Sequence, residues 1–255
     1  MNTEPQGTTN IDERLCVFWN VSLGKSNYSQ RNNKFSYKKN NRCINWTNEC
    51  NVTSIVRSLD YNGFIFPKGD FAQPEDNLAQ HMVKSKIVDS KYKSRFPALY
   101  EEWAKGTADC YSPLEIHKLL EIGVNDWFGF KVDTFNDSTP IKSIKQQLID
   151  YSKSVVISGQ FGKLGHIVSL VGIAYDKSLY LKCCEENLDI CDFEPIGYFY
   201  DDSWGTFNIE TKTYDVSRLG NDMWLSNENF IGMMKPVGNT KFKYAHIFEK
   251  PVSLI

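Results

Sequence analysis

The sequence predicts an α+β fold, with a helical amino-terminal half packed on a mainly antiparallel sheet formed by the carboxy-terminal half. Three observations predict it. Before about residue 152, apolar residues recur at helical spacing in several segments. After it, short runs of β-branched and aromatic residues dominate. No Pro/Gly/Ser-rich linker divides the two textures, so one shared core is expected, over residues 14–255.

The elements follow in chain order. Residues 1–13 are polar and are expected to form a flexible arm. Residues 15–21 are rich in strand formers. Residues 22–45 are Asn/Ser/Lys-rich and read as a long loop, with a basic patch at 31–42 that is either a solvated surface or a contact for an anionic polymer. Val52, Ile55, Val56 and Leu59 then recur at i, i+3, i+4 and i+7, which makes one apolar helix stripe. Asn48 suits the N-cap and Gly63 the left-handed C-terminal position, which puts Cys50 in the first turn. A helical insertion is expected over about 64–112. It holds a helix opening at Pro74, with Leu78 and Met82 on one face, and another over 96–103. Ser112-Pro113-Leu114-Glu115 is a capping box opening a helix with Ile116, Leu119 and Leu120 inward. Thr139-Pro140 is expected to open one more, with Ile141, Ile144 and Leu148 inward. Strands are expected over 154–158, 165–173, 197–201 and 244–248.

Composition removes several function classes. A hydrophobic content of 41% suffices for a sizeable core. The formal net charge of −2 gives no general pull toward nucleic acid or anionic membrane. Neither a Gly-rich phosphate loop nor an aromatic–basic platform is present, so a nucleic-acid partner is not expected. No apolar run approaches the roughly 18 residues of a membrane span. The start, Met1-Asn2-Thr3-Glu4-Pro5-Gln6-Gly7, lacks a basic-then-apolar leader, so a cytoplasmic location is expected. There, seven cysteines are expected to be reduced. Cys183, Cys184 and Cys191, with Cys43 or Cys110, were they to hold zinc, would do so without C-x-x-C spacing or a nearby histidine. A hairpin excursion with incidental thiols or one disulfide fits them better. No metal and no organic cofactor is expected.

Three stretches carry chemistry. Cys50 in a helix's first turn meets free backbone N–H groups and the positive end of the dipole, which favour thiolate. Gly165-His166 begins an otherwise apolar strand, and Asp201-Asp202-Ser203-Trp204-Gly205 ends an aromatic one. Each alone has a bland reading, as a core cysteine, a hydrogen-bonded strand histidine and a polar turn. Together they supply a thiolate nucleophile, a base that takes and returns the proton, and an acid that orients the base. His81, His117 and His246 have no comparable acid motif beside them and are expected to be structural.

Cys50-Asn51-Val52-Thr53-Ser54 followed by Leu59-Asp60-Tyr61-Asn62-Gly63 resembles the nucleophile helix of the C39-like cysteine peptidases, which have a papain-like fold. Many members have Cys-Gly-Pro there, and the Cys50-Asn51-Val52 variant is similar to phage-type members. Gly165-His166-Ile167-Val168-Ser169-Leu170-Val171-Gly172 resembles their histidine strand. Asp202-Ser203-Trp204-Gly205 is similar to their Asp-Pro-aromatic-Gly and to the Asn-Ser-Trp-Gly of papain. Tyr28-Ser29-Gln30 resembles the Ser-Gln that precedes the nucleophile.

The resemblance spans about residues 28–210. It implies a papain-like fold and a Cys50–His166–Asp202 triad, with Asp202 rather than Asp201 as the acid. It further implies Trp204 shielding the His–Asp hydrogen bond, and Gln30 with the Cys50 N–H as oxyanion donors. The long gap from Gln30 to Cys50 leaves Asn45 or Asn48 as alternative donors. The activity implied is hydrolysis of amide bonds in a protein or a peptidoglycan stem peptide, as in stand-alone bacterial and phage members. The alternatives are transglutaminase-like acyl transfer on the same triad, or a silent binding module such as a virion component.

Overall fold

The computed structural model describes residues 13–19, 28–39, 42–45, 50–85, 113–161, 165–218, 220–236 and 241–249. The helix expected over 96–103, Asn48, Cys110, Ser112 and almost all of the expected arm lie outside the described residues.

Helix α1 (Cys50–Tyr61) is the element around which the others are arranged. Its expected stripe of Val52, Ile55, Val56 and Leu59 is buried, and Gly63 follows it at φ 72°. Thr53, Ser54, Arg57 and Ser58 are buried too, so α1 is enclosed on its polar side as well. Helices α2 (Pro74–Lys84) and α3 (Pro113–Phe128) pack beside it through Leu78, Ala79, Leu119 and Val124.

The main sheet contains β1 (Leu15–Trp19), β4 (Asp133–Pro140), β5 (Val155–Gly159), β6 (His166–Asp176), β7 (Gly197–Asp202), β10 (Gly220–Ser226) and β11 (Phe242–Phe248). Its order is β10-β7-β6-β5-β11-β4, with β1 also on β6. Strand β6, of 11 residues, takes β5 over His166–Leu170 and β1 over Gly172–Asp176 along its length. Every pairing is antiparallel. Among the described residues two hairpins lie outside this sheet, β2 (Ser36–Lys39) with β3 (Arg42–Asn45), and β8 (Thr206–Asn208) with β9 (Thr213–Asp215).

Alternation along the strands supplies both faces of the sheet with core. Val156 and Ile167 join the cluster of α1, α2 and α3. Val155, Ile157, Val168 and Leu170 join the opposite cluster, against α4 (Ile141–Ile149) and α6 (Asn227–Met233). The sheet is therefore covered on both sides. A seam of hydroxyls fixes where α1 lies on it. Ser54 Oγ donates to the Ile167 carbonyl at 2.8 Å, and Ser169 Oγ donates to the Ser54 carbonyl at 3.0 Å. Ser58 Oγ meets Ser154 Oγ at 2.8 Å. These buried bonds are directional, as apolar packing is not, so they set the position of the helix along β6.

Among the described residues the architecture is α+β, with six helices and a mainly antiparallel sheet. Three local expectations are corrected. Residues 133–140, within the half expected to be helical, form β4, while the helix expected from Thr139-Pro140 is present and begins at Ile141 with Pro140 as its N-cap. Their polar sequence is held in a strand by pairing with β11. The excursion bearing Cys183 and Cys184 is helix α5 (Lys177–Glu186) rather than a hairpin, N-capped by Asp176, which accepts from the Ser178 and Leu179 N–H groups. Cys183, Cys184 and Cys191 are free thiols. The loop expected over 22–45 contains the β2–β3 hairpin. No described helix is long and apolar enough to cross a membrane.

Candidate active site

Cys50 is the first residue of α1 and is partly buried. His166 is the first residue of β6, directly opposite Gly159. Gly165 precedes it at φ 77°, a left-handed conformation that turns the chain into the strand, and a Cβ there would come 3.3 Å from the Gly159 carbonyl. Asp202 ends β7, the strand on the other side of β6. The neighbouring strands bring acid and base together: His166 Nε2 lies 2.7 Å from Asp202 Oδ1. The Asp202 side chain is fully buried.

With Nε2 engaged by Asp202, Nδ1 is the ring nitrogen left to face the thiol. The Cys50 sulfur hydrogen-bonds His166 and accepts the Ile167 backbone N–H. Burial by itself pushes the Cys50 thiol up. The charge of His166 and these hydrogen bonds outweigh it and hold the thiol below its ordinary value. Burial likewise pushes His166 down, but Asp202 and Cys50 overcome this and raise it to about 10. The two shifts together favour a thiolate–imidazolium pair.

The two adjacent aspartates separate cleanly. Asp201 accepts from the Tyr61 hydroxyl and, at 2.7 Å, from the Asp222 backbone N–H. It is occupied in tying α1 to β7 and β10. Asp202 alone of the two reaches His166.

Gln30 is buried and held against the end of the acid strand. Its backbone N–H donates to the Ser203 carbonyl at 3.2 Å, and its Oε1 accepts from Ser203 Oγ at 2.6 Å. The amide orientation is thereby set, with the nitrogen as its donor end. The Arg57 guanidinium, buried within α1, donates to the Tyr28 carbonyl and anchors the same segment. Asn48 lies outside the described residues, and of Asn45 only the backbone, in β3, is described.

Trp204 meets the pair through its backbone N–H, which donates to Asp202 Oδ1 at 2.8 Å. Two rings lie against His166, those of Phe161, at 6.0 Å between centroids, and Tyr214, at 5.9 Å, both edge-on. Phe207 joins these two, at 5.3 Å from Phe161 and 4.9 Å from Tyr214. These residues come from the β5–β6 connection and the β8–β9 hairpin, and the local sequence motifs gave no sign of them.

A second histidine–acid arrangement lies elsewhere. His117 Nδ1 is 2.8 Å from His246 Nε2, and His246 Nδ1 is 2.7 Å from Asp133 Oδ2. The acid comes from β4, the strand that sequence patterning missed. All three side chains are fully buried, so no substrate reaches them, and burial with His246 nearby pushes His117 well below its ordinary value. His81, for its part, meets Asp126 at 3.1 Å. A cavity of about 570 Å³, lined by Tyr28, Asn32, Lys34, Asp60, Gln73 and Glu75, lies at the far end of α1 from Cys50. Burial raises the Glu75 carboxyl there to about 7. Among the described residues no group of three or more His, Cys, Asp and Glu is placed to hold a metal ion.

No family model, curated protein or solved structure matches this chain.

Proposed function

We propose that this protein is a papain-like cysteine hydrolase of amide bonds, resembling the C39-like peptidases, with Cys50, His166 and Asp202 as its triad. The observation that carries the reading is the shared imidazole. His166 is bonded to Asp202 at 2.7 Å and to the Cys50 sulfur at the start of a buried helix.

The chemistry follows from those positions. The Cys50 thiolate attacks the amide carbon and gives a tetrahedral oxyanion. His166 donates its proton to the departing amine, and the carbon–nitrogen bond breaks to leave a thioester on Cys50. A water then attacks the thioester, giving its proton to His166, and the acid product leaves with the thiol restored. Asp202 fixes the imidazole orientation and offsets the imidazolium charge throughout. The Cys50 backbone N–H and the Gln30 amide are the oxyanion donors, and Ser203 holds Gln30 for that task. The fold reading rests on the same layout: a nucleophile helix laid on an antiparallel sheet whose neighbouring strands bear the base and the acid.

The substrate class, a protein or a peptidoglycan stem peptide, is carried by the resemblance in the motifs. The test is incubation with peptide libraries and purified peptidoglycan, with mass spectrometry of both products and protein. New amino termini together with a transient acyl adduct on Cys50 support hydrolysis. New isopeptide bonds at the same cysteine assign acyl transfer instead. Products that persist in Cys50→Ser overturn the proposal, and so does the absence of both products and adduct, which leaves the binding module.

A further inference from the structure

The buried carboxylate of Asp202 is satisfied at both oxygens. Oδ1 faces His166 Nε2 and accepts the Trp204 N–H. Oδ2 accepts the Tyr214 hydroxyl at 3.2 Å. Tyr214 sits 12 residues further along, on the second strand of the β8–β9 hairpin, which folds back over the end of β7. Several features hold it there. Tyr214 is directly opposite Phe207 in the hairpin register, and Phe207 is buried against Phe161. A Cβ at Gly205 would come 2.7 Å from the Asp215 carbonyl, so only glycine lets the two ends of the hairpin approach this closely. The Arg31 guanidinium donates to the Val216 carbonyl, tying the end of the hairpin to the segment that carries Gln30.

A hydrogen-bond donor on one carboxylate oxygen draws negative charge toward itself and weakens what the other oxygen offers its partner. The titratable groups facing His166 are Cys50 from α1 and Asp202 from β7, with Tyr214 from β9 and Tyr200 from β7 behind them. Burial and Asp202 both push the Tyr214 phenol up, so it remains a donor at working pH.

We propose that Tyr214 is a positioning residue that acts on His166 through Asp202. Its hydroxyl fixes Oδ2 and tempers the hold of the carboxylate on the imidazolium proton, so that His166 gives that proton up to the leaving amine more readily. An imidazolium held too tightly is a poor general acid near neutral pH. The inference rests on the triad reading above.

The test is the pH profile of Cys50 alkylation by iodoacetate, resolved by peptide mapping. This anionic reagent needs the thiolate and is drawn by the imidazolium, so the rate rises on the acid side and falls when His166 loses its proton. Tyr214→Phe keeps the ring and removes the donor. Its alkaline limb is expected to move up, by about half to one pH unit for one lost hydrogen bond. A packing role alone loosens the pair and leaves the limb where it was or moves it down. A monofluorinated tyrosine placed at 214 alone is a stronger donor and is expected to move the limb down, which keeps the test decisive even if Tyr214→Phe folds poorly. An unshifted or lowered limb in Tyr214→Phe overturns the inference while the triad stands, as does an unshifted limb in the fluorinated protein. A wild type without a bell-shaped profile removes the triad reading itself.

Discussion

Replacing Asp202 by Asn is the most informative single change. The side chain keeps its shape, and its amide oxygen can still accept from His166 and from the Trp204 N–H, now 2.7 and 2.8 Å from Oδ1. What goes is the negative charge. Opposite unit charges about 4 Å apart at an effective dielectric of about 20 attract by about 4 kcal/mol, or about 3 pH units of imidazolium stabilisation. His166 is held at about 10 in the native protein, with Asp202 the larger of its two charged supports. In Asp202→Asn the alkaline limb of Cys50 alkylation by iodoacetate is therefore expected near pH 7. At pH 8.5 the imidazolium fraction drops about thirtyfold. The assay is site-mapped alkylation from pH 4 to 10, with circular dichroism as the check on folding. A folded variant whose alkaline limb moves by less than about half a unit would refute the reasoning, because Asp202 would then not be what holds the His166 proton.

Two further predictions concern the scaffold. Glu75 is raised to about 7 from its ordinary 4.5, so its contribution to stability is present on the acid side and lost as pH rises through about 7. Between pH 4 and pH 8, wild type is expected to lose up to about 3 kcal/mol relative to Glu75→Gln in urea unfolding, and parallel curves would contradict this. Ser169→Ala removes the donor to the buried Ser54 carbonyl and is expected to destabilise the fold by about 1 to 3 kcal/mol. It should also slow Cys50 alkylation at low pH, because the seam sets where Cys50 meets His166, and an unchanged midpoint and rate would show that the seam is idle.

What was legible in the sequence was what repeats locally. The α1 stripe announced itself by spacing, and all four of its residues are buried. Gly165-His166 and Asp202-Ser203-Trp204-Gly205 were readable because the glycines and polar residues interrupt apolar strands. What was not legible is set by contacts between distant parts of the chain. Strand β4 reads Asp-Thr-Phe-Asn-Asp-Ser-Thr-Pro and is extended because β11 pairs with it. With it missing, the Asp133 partner of His246 was invisible. Tyr214 reaches Asp202 only after the hairpin closes, and nothing near Tyr214 marks it. The Trp204 N–H meets Asp202, and the rings of Phe161 and Tyr214, which no local motif marked, lie against His166. Arg57 on a buried helix face defies the stripe, and its place is explained by the Tyr28 carbonyl, 29 residues away.

The central claim is that Cys50 is a nucleophile made by His166. Its most direct test is iodoacetamide labelling of the native protein at pH 5.5, mapped over all seven cysteines, in wild type and in His166→Ala. An unperturbed thiol is almost wholly protonated there, whereas a thiolate paired with an imidazolium is not. Cys50 is expected to react about tenfold or more faster than any other cysteine, and to lose that lead in His166→Ala. If Cys50 reacts no faster than the rest, or keeps its lead without His166, the account is contradicted at its root.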